Sequence, residues 1–172
     1  MSELENVKFT ERDGTDLYSN TIKYEVGEIT TAPDWDPKPY CGGGLHFGEI
    51  RVAILHTLGT PGRVFEVQAI GEVVEISPGL RKTRKLRVVK ELNLPELLSK
   101  LAKDKNLDVR VKVAKNPNTS PEDLTELTKD GYWATTDAVM DNPNTDPKTR
   151  TKLNNRYPPH YRDLIKRDIG AY

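Results

Sequence analysis

The 172-residue chain has one cysteine, Cys41. With no second thiol it cannot build an intramolecular disulfide framework, and that economy fits a reducing compartment. An excess of charge of either sign is missing too. The 26 Lys and Arg offset the 26 Asp and Glu, so no global field steers the protein to nucleic acid or to an anionic membrane. No apolar run approaches the ~18 residues of a membrane span. Residues 1–11 are charged and lack the apolar stretch of a secretory signal. Metal-ligand spacing is absent: Cys41, His46 and His56 form neither a paired CxxC nor a His-x₃-His array. The phosphate-cradling GxxxxGKS/T and GxGxxG loops are absent as well, and no spacing orders Ser, His and Asp into a triad. These absences predict a soluble protein of the cytoplasm, with no metal and no cofactor. The hydrophobic fraction is 35% and the charged fraction 30%, which suits small, surface-rich units better than one large core.

What the chain does have is a period. Leu101 recurs 26 residues on as Leu127, and again as Leu153. The string Asn116-Pro117-Asn118-Thr119-Ser120 returns at the same spacing as Asn142-Pro143-Asn144-Thr145-Asp146, each copy followed by proline. Spacings of about 20 to 50 residues mark stacked units that bury their apolar stripes only against neighbours. Each unit reads as helix, turn, helix and an Asn-Pro-Asn-Thr corner. Asn116 precedes Pro117 and so leaves helical geometry. Thr119 or Ser120 then caps the next helix, with Pro121 at its first position, and Thr145 or Asp146 does the same before Pro147. The pattern degenerates after Leu153, and residues 160–172 are expected to form a final amphipathic helix that covers the open end. Asn116 and Asn142 are read as corner formers.

Residues 1–92 have a different grammar, that of strands and turns. Val7-Lys8-Phe9 alternates and Asp13-Gly14 supplies a turn. Leu17 to Ile29 alternates again and is predicted as a strand. Three prolines and the run Gly42 to Gly44 make regular structure between Thr31 and Gly44 unlikely. A short strand is expected at Leu45-His46-Phe47, a helix within Glu49 to Leu58, a long strand over Arg63 to Ile76 and a last strand through Leu86, Val88 and Val89. The predicted architecture is therefore α+β: a small, mostly antiparallel sheet with one helix (1–92), then a short all-α repeat domain with a capping tail (93–172).

Two resemblances attach to these halves. Asp104, Asp108-Val109-Arg110, Val113-Ala114, Asn116-Pro117-Asn118-Thr119, Pro121 and Leu124 resemble the leucine-rich repeat variant, a helical solenoid. The second copy departs from it, with Ala134-Thr135-Thr136 where that family has a Val-Arg pair. Tyr24-Glu25-Val26-Gly27, Cys41, Gly44-Leu45-His46, Gly62 to Val67 and Lys85 to Leu92 follow an order that resembles a family of small domains encoded mainly by bacteriophages. That resemblance implies a viral origin and supplies no mechanism.

Three function classes follow. The first is a non-enzymatic bacteriophage accessory protein that binds a host or viral macromolecule. A protein partner would meet the helical repeat face, with Tyr132 and Trp133 as aromatic anchors, and the basic run Arg81, Arg84, Lys85 and Arg87 would add contacts. Nucleic acid is a second partner class for that run. Against this stand the bland readings: Trp133 plugs the stack between units, and the basic run is a charged edge strand that blocks aggregation. If the run is a strand, Arg81, Thr83, Lys85 and Arg87 face one way and Lys82, Arg84 and Leu86 the other. Trp35, in the proline-rich loop, is another candidate anchor.

The second class is a ligand site in the loop Cys41, Gly43, Gly44 and His46, where glycines admit a close approach and a histidine can titrate. Its bland counterpart is a glycine-rich bend with a half-buried, hydrogen-bonded His46. Gly44-Leu45-His46-Phe47 before a helix and the strand Val64 to Ile70 resembles the central stretch of ADP-ribosyltransferases, which implies a nicotinamide or nucleotide ligand. That superfamily's first motif is not evident here, and Glu66 and Glu72 do not take its late catalytic position. The third class is a virion structural protein, where self-assembly is the function. Partner identity and oligomeric state are not encoded in any of these patterns.

Overall fold

The computed structural model describes residues 6–19, 21–57, 60–158, 160, 162–163 and 167. The chain divides into two compact units, Met1–Leu94 and Pro95–Tyr172. Among the described residues no helix is long and apolar enough to cross a membrane.

The first unit is a five-stranded antiparallel sheet with one helix. Its strands are β1 (Val7–Thr10), β2 (Ile29–Thr31), β3 (Leu45–Gly48), β4 (Arg63–Ser77) and β5 (Leu80–Glu91), and α1 (Ile50–Leu55) follows β3. β4 and β5 form a long hairpin turned by Pro78-Gly79, where Gly79 takes φ +79°. β1 pairs with both β3 and β4, and β5 pairs with both β4 and β3. Four strands thus close on themselves, while β2 adds to the far end of β5. Closure gives β1, β3 and β5 neighbours on both sides, while β2 and the part of β4 beyond Val67 pair among the described strands with β5 alone. It also encloses a core of Tyr24, Leu45, Phe47, Phe65, Val67, Leu86 and Val88.

The structure corrects three expectations. Val7-Lys8-Phe9 does not alternate in and out, because all four residues of β1 are buried, Lys8 included. β5 is no edge strand, since it has neighbours on both sides. Nor do its cations form one face. Lys82 and Thr83 are wholly buried, Arg81 is half-buried, and Arg84, Lys85 and Arg87 are exposed. A register shift between Ile70 and Val73 of β4 lies opposite this stretch, and the Thr83 hydroxyl donates to the Glu72 carbonyl there. Lys82 is buried because its ammonium donates to the Tyr40 and Gly42 carbonyls beside the Tyr40 and Trp35 rings, so the loop over 34–44 covers it.

The predicted strand over Leu17 to Ile29 shrinks to β2 and two isolated bridges, Thr10 with Asp16 and Thr15 with Lys23. The Asp16 carboxylate accepts from the amides of Tyr18 and Ser19 and winds the chain into a turn instead. Leu58, the expected last residue of the helix in this unit, lies outside the described residues.

The second unit holds α2 (Leu94–Leu101), α3 (Leu107–Lys115), α4 (Pro121–Leu127), a 3₁₀ turn at Thr128–Asp130, α5 (Trp133–Asp141) and α6 (Pro147–Arg156). α3 and α5 start 26 residues apart, as do α4 and α6. Ser120 caps α4 by accepting from the Asp123 amide, and Asp146 caps α6 by accepting from the amides of Lys148 and Thr149. Thr119 and Thr145 are buried instead, and each hydroxyl donates back to the carbonyl six residues earlier, on Val113 and Val139. Leu98, Val109, Val113, Leu124, Leu127 and Val139 form the buried apolar faces. At the last corner the Arg150 guanidinium donates to the carbonyls of Met140 and Asn142. The expected capping helix over 160–172 falls largely outside the described residues. Arg162 within it pairs with Asp137 at 2.6 Å and Asp141 at 2.7 Å.

Candidate functional site

A cavity of about 280 Å³ opens in the first unit. Val7, Phe9, Leu17, Ile22, Phe47, Ala53 and Leu80 give it apolar walls, and Lys8, Asp16, Cys41, His46 and His56 supply its polar groups. That mixture, an apolar hollow with a few converging polar atoms, is the usual make-up of a small-molecule site.

β1 brings Lys8 to the cavity, and the turn after it brings Asp16. Their side chains meet at 2.5 Å with both groups more than nine-tenths buried. Asp16 Oδ1 accepts from the amides of Tyr18 (2.9 Å) and Ser19 (3.1 Å), so the carboxylate is fixed in place. The Tyr24 ring lies 5.1 Å from Lys8 Nζ, and its hydroxyl stands 3.5 Å from Asp16 Oδ2. Burial pulls the Lys8 pKa below its ordinary value, against the raising effect of Asp16. Burial alone would raise Asp16, but the Lys8 ammonium and the two amides outweigh it and hold the carboxylate below the usual range. Burial, and then Asp16, push Tyr24 well above its ordinary 10. A buried pair of this kind carries no net charge.

His46 sits on β3 in register with Lys82 of β5. Its Nε2 is buried and has no hydrogen-bond partner among the described residues. Burial first, and then the nearby ammonium groups of Lys8 and Lys82, lower its pKa from 6.5 to about 4. The ring is therefore neutral imidazole at pH 7 and can accept or donate one hydrogen bond. The Tyr18 ring stands 6.2 Å away at a 36° tilt, and the Tyr18 hydroxyl donates to the His56 carbonyl.

The glycine-rich loop forms the remaining wall, since Cys41, Gly42, Gly43 and Gly44 all line the cavity. It is held from beneath. Lys82 Nζ donates to the carbonyls of Tyr40 (3.0 Å) and Gly42 (2.6 Å), with the Tyr40 ring 4.7 Å and the Trp35 ring 6.0 Å away. The Gly44 amide donates to Asp34 Oδ1. Gly43 takes φ +48°, and a Cβ there would come 2.3 Å from the Asp34 carbonyl oxygen. A Cβ on Gly44 would meet the Trp35 ring at 3.0 Å. Close packing of loop on loop, rather than ligand approach, is what requires these two glycines. Trp35, a candidate anchor from the sequence, is half-buried in that packing.

The structure thus brings Cys41, Gly43, Gly44 and His46 together around one cavity. It adds Lys8, Asp16 and Tyr18 to the lining and Lys82 beneath the loop, roles that sequence reasoning missed. The one local signal was a lysine between the apolar residues Val7 and Phe9. Glu66 and Glu72 do not line the cavity, and Glu66 is paired with Lys90 at 3.1 Å. Among the described residues no group of three or more His, Cys, Asp or Glu could hold a metal ion.

The residues suggested as partner anchors are spread out. Arg84, Lys85 and Arg87 lie exposed on β5, and Arg81 stacks 5.5 Å over Phe47. In the second unit Tyr132 is exposed, while Trp133 is half-buried with its ring 5.5 Å from Tyr157, edge to face.

A family model described as "Domain of unknown function (DUF7666)" matches residues 6–100, a span that takes in every residue lining the cavity. No curated protein and no solved structure matches the chain.

Proposed function

This chain belongs to that DUF7666 family, and from that premise we propose that the family domain binds a small molecule in the Lys8–Asp16–His46 cavity. One observation carries the reading: His46 Nε2 is a buried polar atom without a partner among the described residues, in a ring kept neutral, beside a cavity. Leaving such an atom unpaired costs about 1–3 kcal/mol, which a ligand hydrogen bond recovers. The cavity excludes highly charged ligands. Lys8 is matched by Asp16, and Lys82 is turned to the loop carbonyls, so neither cation is spare for a phosphate. The ligand is compact, uncharged and largely apolar, with one or two polar atoms. The ring of a nicotinamide or nucleobase has that character, and any attached phosphates would lie outside the cavity. Binding rather than group transfer is favoured because the cavity's two aspartates are both engaged, Asp16 by Lys8 and Asp34 by the Gly44 amide.

The test is a thermal-shift screen of the whole protein with nicotinamide, the nucleobases and their nucleotides. A ligand at 100 times its Kd stabilises the native state by about 2.7 kcal/mol. The expected result is a rise in melting temperature with a neutral ring compound that is lost in His46→Ala. No shift with any of them would overturn the reading.

A second reading rests on the exposed side chains of Arg84, Lys85, Arg87 and Tyr132. In it the protein is a bacteriophage accessory protein that docks a host or viral protein through the helical unit, with β5 adding cationic contacts. Capture of the same partner from host lysate by wild type and by the Arg84→Ala/Lys85→Ala/Arg87→Ala and Tyr132→Ala variants alike would remove it.

A further inference from the structure

We propose that Lys8 captures carbonyl compounds: its amine condenses with a compact aldehyde or ketone in the cavity to form a protonated imine, with Asp16 as the built-in counterion. This rests on the reading that the cavity takes a ligand, and it goes further by giving that ligand a reactive group.

Lys8 lines the cavity and yet is only 4% exposed. Its amine is shielded from bulk water but borders the space a ligand would enter. An ammonium has three N–H donors, and Asp16 takes one of them at 2.5 Å. Asp16 is itself anchored by two backbone amides and cannot follow a moving charge. A purely structural ion pair would need no unsatisfied polar atom near it, but here the neutral His46 ring lines the same cavity with its Nε2 unpartnered among the described residues, placed to hold a carbonyl oxygen by a hydrogen bond. Desolvation of a lysine in such a setting raises the share of free amine, which is how lysines become nucleophiles.

The step balances without a further reactant. The Lys8 ammonium gives one proton to solvent water, and the freed amine attacks the carbonyl carbon to form the C–N bond. The oxygen, held by a hydrogen bond from the neutral His46 ring, takes one proton back from water and a second from the nitrogen, the C–O bond breaks, and water leaves. Ammonium plus carbonyl compound becomes iminium plus water. An ammonium at the start is replaced by an iminium at the end, so Asp16 faces a positive charge in both the free and the condensed states. The chemistry selects uncharged aldehydes or ketones with a hydrocarbon or aromatic body. A keto acid would place a second anion beside Asp16 with no cation to match it.

The experiment treats the full chain with benzaldehyde and cyanoborohydride at neutral pH and maps the reduced adduct by peptide mass spectrometry. The expected result is a single benzyl group on Lys8, formed faster than on any exposed lysine, because a lysine shielded from water holds more of its amine in the free form. Lys8→Arg keeps a cation for Asp16 and should lose the adduct. His46→Ala should slow labelling of Lys8 while labelling of the exposed lysines is unchanged. Labelling confined to exposed lysines in folded wild-type protein overturns the proposal, whatever the variants do. Benzyl alcohol, which cannot condense, separates the two claims. If it and benzaldehyde raise the melting temperature and Lys8 stays unlabelled, the imine fails and ligand binding stands. If neither compound shifts or labels the protein, both fail.

Discussion

The side-chain amide of Asn142 donates to the carbonyls of Ala114 (2.7 Å) and Asn116 (2.8 Å), so one asparagine corner is bolted to the equivalent corner 26 residues earlier. Asn144 repeats the arrangement one step outward, donating to the carbonyls of Pro117 and Thr119. The conspicuous Asn-Pro-Asn-Thr strings therefore shape each corner and also tie neighbouring units together.

Asn142 is 2% exposed, and Asn142→Ala leaves two buried carbonyls short of a donor. The expected loss is about 2–4 kcal/mol of helical-unit stability. Asn142→Asp should cost more, because it sets a carboxylate against two carbonyl oxygens. Trp35 and Trp133 are the two tryptophans, one in each unit. Denaturant titration of a Trp35→Phe background, followed by Trp133 fluorescence, reads the effect.

Breaking the buried pair from one side strands a charge. Lys8→Met should cost about 3–5 kcal/mol. The double variant Lys8→Met/Asp16→Asn should cost less than the sum of the singles, with a coupling of roughly 2 kcal/mol. Additive losses in a denaturation cycle would mean that the two groups do not interact as the 2.5 Å contact implies.

His46 makes stability depend on pH. In the folded state its pKa is about 4, against an ordinary 6.5. Between these values the unfolded chain binds a proton that the folded one refuses. Stability therefore falls as pH drops through that window, by at most about 1.4 kcal/mol per pH unit, and levels off below pH 4 as far as this group is concerned. Asp16, depressed when folded, adds its own loss at pH values below its ordinary 3.8. His46→Gln should remove the upper part of the slope and leave the lower part.

Much of this was legible in the sequence. The long β4 strand announced itself by Val64, Phe65, Val67, Val73 and Val74, and the helical unit by its period. The glycine-rich loop was marked out, but its closeness to Lys8 and Asp16 was not. Lys8 reads as the outward residue of an alternating strand, but α1 packs against β1 while Asp16 and the Tyr24 ring meet Lys8, so neither face of the strand is left to solvent. Nothing near position 82 distinguishes Lys82 from Arg84 either. The loop over 34–44, a different part of the chain, covers the first and leaves the second exposed.

That contrast is testable. Arg84→Ala, Lys85→Ala and Arg87→Ala alter exposed side chains and should each change stability by no more than about 0.5 kcal/mol. Lys82→Ala strips the donor from two loop carbonyls and should destabilise the first unit by about 2 kcal/mol or more. Hydrogen exchange at residues 40–44 should rise with it.

Gly43→Ala forces a side chain into left-handed backbone and against the Asp34 carbonyl. It should cost about 2 kcal/mol or more and abolish any ligand-induced thermal shift. A fully stable variant with intact binding would show that the loop is looser than drawn.

Arg150 sets how this protein could be lengthened. Its guanidinium grips the two carbonyls, on Met140 and Asn142, that stand where Ala114 and Asn116 stand one unit earlier, where Asn142 makes the grip. An extra unit spliced between Asn116 and Asn142 would find its donors and acceptors waiting. One grafted after α6 would meet an occupied socket, so growth of the array is open in the middle and plugged at that end.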